Sequence, residues 1–168
     1  MLEFKNTIHI DRPVGEVFAY LSDFQNIPKW NYYVLEVRQL SDNPIGVGTT
    51  YHQVRKSDEQ DFRIIEFAPN HSVVVKTLPH SSPSFERKFT LDEEGNTTRL
   101  RDEWKLDTGS PTILERLARR RVKSAVAENL IKLKELLEEG RVVLQDGRSE
   151  RIGRGAEDGG YRLVRRHI

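Results

Sequence analysis

Apolar residues recur along the chain with two different periods. Over residues 3–10 (EFKNTIHI) they alternate with polar ones, as in a half-buried strand. Val14, Val17, Phe18 and Leu21 then follow at i, i+3, i+4 and i+7, which marks one face of a helix. Pro13 opens that helix at a position where a missing N–H costs nothing. Ser22-Asp23 offers a new N-cap, and residues 24–27 predict a short second helix ended by Pro28. The period then returns to two. Residues 33–40, 49–56, 61–67, 72–78, 84–91 and 97–107 read as strands separated by SDNPIGVG, KSDEQ, APNH, PHSSP and EEGN, all turn chemistry. Six short-looped strands in a row predict an antiparallel meander.

Ser110-Pro111 opens a long helix that runs to Glu139, with Gly140 as its C′ residue. Its predicted inner stripe is Leu114, Ala118, Val122, Ala125, Asn129, Leu133 and Leu136, widened by Leu117, Val126, Leu130 and Leu137. Residues 141–168 lose this periodicity and are rich in Gly and Arg. They predict a disordered tail whose loss the domain over residues 1–140 survives. The element order implies an α+β fold: a curved sheet of seven antiparallel strands around one long helix, closed at one end by two short helices. The space between sheet and helix is the natural place for a pocket.

Composition narrows the function classes. Lys plus Arg number 27 against 26 Asp plus Glu, so no global charge favours nucleic acid or an anionic membrane. The absence of Cys excludes disulfides, thiolate metal sites and a Cys nucleophile, and it fits a cytoplasmic location. The first residues lack the apolar core of a signal peptide, and no apolar run has the length of a membrane span. The tail has seven Arg against four acidic residues but only Tyr161 as an aromatic, which gives base stacking little support.

Several fragments, in order, carry a family likeness: Ile10-Asp11-Arg12-Pro13, Val17-Phe18-Ala19-Tyr20-Leu21-Ser22-Asp23, Pro28-Lys29-Trp30-Asn31, Gly46-Val47-Gly48-Thr49, Glu66-Phe67-Ala68-Pro69 and Thr97-Thr98-Arg99-Leu100. Through them residues 3–140 resemble the START/Bet v 1-like (SRPBCC) superfamily, and within it the polyketide cyclase/dehydrase-type proteins. The resemblance implies a helix-grip fold with a deep apolar cavity, and functions from lipid or metabolite binding to polyketide cyclisation. It implies no fixed catalytic motif, because such proteins share a frame rather than a site. Two readings stay open. One is a module that binds a small hydrophobic or aromatic molecule. The other is a cyclase or dehydratase that uses polar groups in the same cavity. Neither requires a cofactor, and a homo-oligomer is compatible with both.

Direct evidence for chemistry is sparse. His9, His52, His71, His80 and His167 form no metal-binding spacing. Gly46-Val47-Gly48 joins two strands rather than a strand and a helix, so it reads as a hairpin loop at the pocket mouth, not a phosphate loop. Most of Arg119-Arg120-Arg121 is expected on the solvated helix face. The informative signal is charge at inward strand positions. Phe85, Phe89 and Leu91 share one parity with Arg87; Leu100, Trp104 and Leu106 share one with Asp102. A turn at Glu94-Gly95 would set Arg87 opposite Asp102 and Phe85 opposite Trp104. The candidate ligand-binding residues are therefore Arg87, Asp102, Phe85, Phe89 and Trp104. Tyr51 and Glu66, with Gln53, or alternatively His52, join them according to strand register, and Asn129 interrupts the apolar helix stripe.

Overall fold

The computed structural model describes residues 1–109, 111–154 and 161–163. Each stretch of alternating polarity forms a strand: β1 (Leu2–Ile10), β2 (Val34–Gln39), β3 (Thr50–Arg55), β4 (Glu59–Ala68), β5 (Ser72–Thr77), β6 (Ser84–Glu94) and β7 (Thr97–Asp107). They make one antiparallel sheet in the order β1-β7-β6-β5-β4-β3-β2. Because β1 and β2 lie at opposite edges, the chain between them must cross the sheet. It does so as α1 (Val14–Leu21), which lies against β6 and β7, and a 3-10 helix (Phe24–Lys29), which lies against β2. Asp23 caps the latter through the Gln25 N–H. Pro28 sits inside this helix rather than ending it, since the closing bonds come from the N–H groups of Trp30 and Asn31 to the Ile27 carbonyl. The apolar face of α1, with Val17, Phe18 and Leu21, is buried, as is Trp30 beyond it.

The long helix α2 (Thr112–Glu139) packs Leu130, Leu133, Leu136 and Leu137 into the core. Its C-terminal end is held twice. Gly140 takes the left-handed conformation (φ 76°) that lets its N–H reach the Leu136 carbonyl. Arg12 spans the gap from the first strand and donates from Nε to the Leu137 carbonyl (3.0 Å) and from Nη2 to that of Glu138 (2.7 Å). A cation on otherwise unpaired terminal carbonyls is favourable by both hydrogen bonding and the helix dipole. The predicted inner stripe fails over the first turns, where Leu114, Leu117 and Ala118 are exposed. The elements that α2 packs on most are β1 and the hairpin described next, and of the turns before Val122 only Glu115 is buried among the described residues.

The expectation of a disordered tail is overturned over its described part. The chain turns at Gly140 into β8 (Arg141–Val143), which pairs with β9 (Ser149–Arg154), and β10 (Tyr161–Leu163) pairs with β9 in turn. Val142, Leu144 and Ile152 are buried in the same core as the α2 leucines. The turn is closed by Gly147 (φ 84°), whose N–H reaches the Leu144 carbonyl, and by the Asp146 carboxylate, which accepts from the Arg148 N–H. Residues 155–160 and 164–168 of the expected tail lie outside the described residues.

Candidate functional site

The concave face of the sheet and the middle of α2 enclose a cavity of about 400 Å³, within the size range of small-molecule sites. Phe62, Val75, Phe85, Arg87, Trp104 and Leu106 form the sheet side. Val122, Ala125, Val126 and Asn129 form the helix side, and Phe24 and Ile27 of the 3-10 helix close one end. Tyr33 and Arg121, both exposed, and the half-buried Asn31 and Arg55 make the rim. The wall is mostly aromatic and aliphatic. The Gly46-Val47-Gly48 loop lies away from this rim, at the Thr50 end of β3, whereas the rim takes Arg55 from the other end.

Arg87 and Asp102 meet on the sheet side. Arg87 Nε donates to Asp102 Oδ1 (2.8 Å) and Nη2 to Oδ2 (2.6 Å), with side-chain exposures of 5% and 0%. Trp104 Nε1 also donates to Asp102 Oδ2 (3.2 Å). Aromatic rings surround the guanidinium, whose central carbon lies 4.3 Å from the Phe89 ring centroid, 4.4 Å from that of Trp104 and 5.5 Å from that of Trp30. The pair is not directly cross-strand as expected. The turn is Gly95-Asn96 rather than Glu94-Gly95, so Glu94 pairs with Thr97, Arg87 with Trp104, Phe85 with Leu106 and Phe89 with Asp102. A shift of two residues preserves parity, so both charges stay on the inner face and meet diagonally. Asp102 takes the Nε–H and one Nη2–H, which leaves both N–H groups of Nη1 and the second of Nη2 as donors for another acceptor. Because Asp102 neutralises the charge, the wall there presents a hydrogen-bond donor within a locally neutral pair.

The other candidates divide. Phe85, Trp104 and Asn129 line the cavity with Arg87, and Asn129 is buried with its Oδ1 lacking a hydrogen-bond partner among the described residues. Asp102 lies behind Arg87 and orients it. Phe89 supports the guanidinium from within the core. Tyr51 faces inward but is packed between Phe24 and Phe62, and burial pushes its phenol pKa up. Gln53, on the same parity, does reach the cavity and donates to Gln60 Oε1 (3.1 Å). His52 is on the opposite face, where its Nδ1 lies 2.7 Å from Asp61; together with His80 it holds that carboxylate below its usual pKa. Glu66 is excluded from the cavity. The ladder between β4 and β5 shifts between Ile64 and Glu66, and this bulge turns Phe67 inward and Glu66 out to solvent. The rim residues Tyr33 and Arg121 were not foreseen. Arg121 sits one turn before Ala125, so it borders the cavity stripe while Arg119 and Arg120 stay outside it. Among the described residues no group of three or more His, Asp or Glu is placed to hold a metal ion, and no helix is long and apolar enough to cross a membrane.

Residues 1–138 match the family model described as polyketide cyclase / dehydrase and lipid transport. Solved structures share the fold at low identity. A protein of Thermus thermophilus is 16% identical with a TM-score of 0.66, covering 79% of this chain and 94% of that one. A START superfamily protein from Mycobacterium smegmatis is 15% identical with a TM-score of 0.61, covering 83% and 96%. The di-domain ARO/CYC BexL from the BE-7585A biosynthetic pathway is 14% identical with a TM-score of 0.64, covering 84% of this chain and 50% of that one. No curated protein matches the chain.

Proposed function

Because the chain belongs to the polyketide cyclase / dehydrase and lipid transport family, we propose that it binds a small, largely apolar or aromatic molecule between the sheet and α2. Arg87 would hold one oxygen acceptor of that molecule. The observation that carries this reading is the buried Arg87–Asp102 pair on a mostly apolar cavity wall. A carbonyl or hydroxyl oxygen suits Nη1 better than a free carboxylate, because Asp102 already balances the guanidinium charge. Asn129 supplies a second polar contact from the helix side. In this reading Trp104 and Phe85 stack on the ligand's planar or aliphatic body.

The cyclase or dehydratase reading has a narrower basis. Proton transfer from a bound substrate needs a base within hydrogen-bond reach. Among the described residues the titratable side chains on the cavity wall are Tyr33, Arg55, Arg87 and Arg121, a phenol and three cations. That set supports orientation of a ligand more than removal of a proton from it.

Two measurements test the binding reading. Native mass spectrometry of protein purified from its own host should show an added mass that is lost on organic extraction. A naphthalene-type fluorophore should bind with a blue shift, and Ala125→Trp should abolish that binding without unfolding the protein. Fluorophore binding that Ala125→Trp leaves unchanged would place the apolar site elsewhere and overturn the proposal.

A further inference from the structure

The first turns of α2 carry a surface that the cavity does not explain. Ile113, Leu114 and Leu117 are 70%, 54% and 77% exposed. Among the described residues of 111–121 Glu115 alone is buried, so this part of the helix stands free on most of its circumference. Ile113 and Leu117, one turn apart, form a ridge on the side opposite the sheet-facing Val122, Val126 and Asn129. Helical spacing sets Arg116 and Arg120 along one flank of that ridge and Leu114 and Arg121 along the other. Arg119 and Lys123 extend the first flank, where Arg116, Arg119, Arg120 and Lys123 border a shallow groove beside Asn6.

Charge is concentrated here. The whole chain is close to balance, yet residues 116–123 contain five cations and no acid. The acid just before them, Glu115, is buried and paired with the N-terminal ammonium (2.7 Å). None of the five cations makes a salt bridge among the described residues.

We propose that this segment docks the protein on an anionic lipid bilayer, with Ile113, Leu114 and Leu117 entering the boundary between headgroups and acyl chains and the flanking cations on lipid phosphates. An apolar ridge with a row of cations along one flank and Arg121 on the other is the pattern of a helix that lies in a membrane interface. The ridge is convex and free-standing, which suits a plane of mobile lipids better than the groove an acidic protein would need. Arg121 belongs both to the cation set and to the cavity rim, so docking would turn the rim toward the lipid. The proposal does not depend on what the cavity binds.

Vesicle flotation tests it with the full chain. Phosphatidylcholine vesicles containing one-third phosphatidylglycerol should carry the protein upward, pure phosphatidylcholine should carry far less, and added salt should weaken the association. Arg116→Gln with Arg120→Gln should lower the affinity roughly thirtyfold, at about fivefold per charge near an anionic surface. Ile113→Ser with Leu117→Ser should lower it by at least about tenfold, since each removes several buried methylenes from the interface. All four positions are exposed, so thermal unfolding and fluorophore binding should match the wild type, which separates this test from that of the cavity. Failure of the wild type to float with the anionic vesicles would overturn the proposal. Flotation that both double variants leave unchanged would do the same, as would retention on immobilised polyglutamate without vesicle binding.

Discussion

A guanidinium and a carboxylate on an apolar wall are each costly to desolvate, and only the partner makes either tolerable. Arg87 and Asp102 meet this condition with two short hydrogen bonds and a third from Trp104. Arg87→Met or Asp102→Leu alone should therefore destabilise the fold by about 3–5 kcal/mol, because each strands the other charge. Combining them should recover most of that loss, since nothing charged is left unpaired. Urea denaturation of the four proteins measures the coupling. A coupling near zero, with both singles within about 0.5 kcal/mol of the wild type, would mean that the pair is not buried as described. If Arg87 also serves a ligand, the stable double variant should lose affinity for oxygen-bearing ligands while still taking the fluorophore. This pair was legible in the sequence because strand parity survives an error of two residues in register. Glu66 was not, because a bulge changes parity by one residue, and nothing in Ile64-Ile65-Glu66-Phe67 announces where the extra residue falls. Arg121 was missed for another reason: a long cation at the edge of a helix stripe can point either way.

At the scale of elements, the strands and α1 were legible because an alternating or helical apolar pattern sat between strong turn signals. The failures came where a pattern was too short to count or lacked a surface to pack on. The inner stripe of α2 was extended to Leu114 and Ala118 by periodicity alone, yet periodicity does not say whether a sheet lies beneath. The β8–β9 hairpin was hidden by Gly and Arg around it, although Val142 and Leu144 alternate and Asp146-Gly147 is a turn signal. Its apolar residues contribute to the main core, so truncation after Gly140 should be costly. Burying an aliphatic side chain is worth about 1.5–3 kcal/mol, an upper estimate in view of residual burial in the unfolded chain. Removal of Val142, Leu144 and Ile152, and of the bond from the Ile152 N–H to the Gly140 carbonyl, should cost at least about 3 kcal/mol. For a chain of this size that is a fall in Tm of roughly 6–12 °C. A melting temperature within about 2 °C of the full chain would show that the hairpin is an appendage and that α2 is secured by Arg12 and Gly140 alone.

The whole molecule joins a continuous sheet to a helix whose apolar packing is concentrated at its C-terminal end, while its first turns are tethered only through polar contacts of Glu115. Residues 130–137 of α2 supply four leucines to the core, and Arg12 fixes the carbonyls just beyond. From Val122 to Asn129 the helix roofs the cavity, and before Val122 it is largely exposed. Local opening free energy should fall along the helix in the same direction, because few apolar contacts are broken when its first turns unwind. Hydrogen exchange should then resolve two behaviours in one continuous helix. Amides of residues 130–137 and of the interior strands β5, β6 and β7 should exchange only through global unfolding, whereas those of residues 116–121 should exchange much sooner. A molecule in the cavity would touch Val122, Ala125, Val126 and Asn129, so it should slow exchange across the roof in particular. If opening of the roof destroys the site, ligand at a hundredfold its Kd should raise the local protection by about 2.7 kcal/mol. The same ligand should protect β8 and β9 no more than their share of the global stability. Uniform exchange along α2 would contradict apolar packing concentrated at its C-terminal end. Ligand protection confined to regions outside 118–129 would show that the molecule binds without entering beneath the helix, and the cavity would then lose its claim to be the functional site.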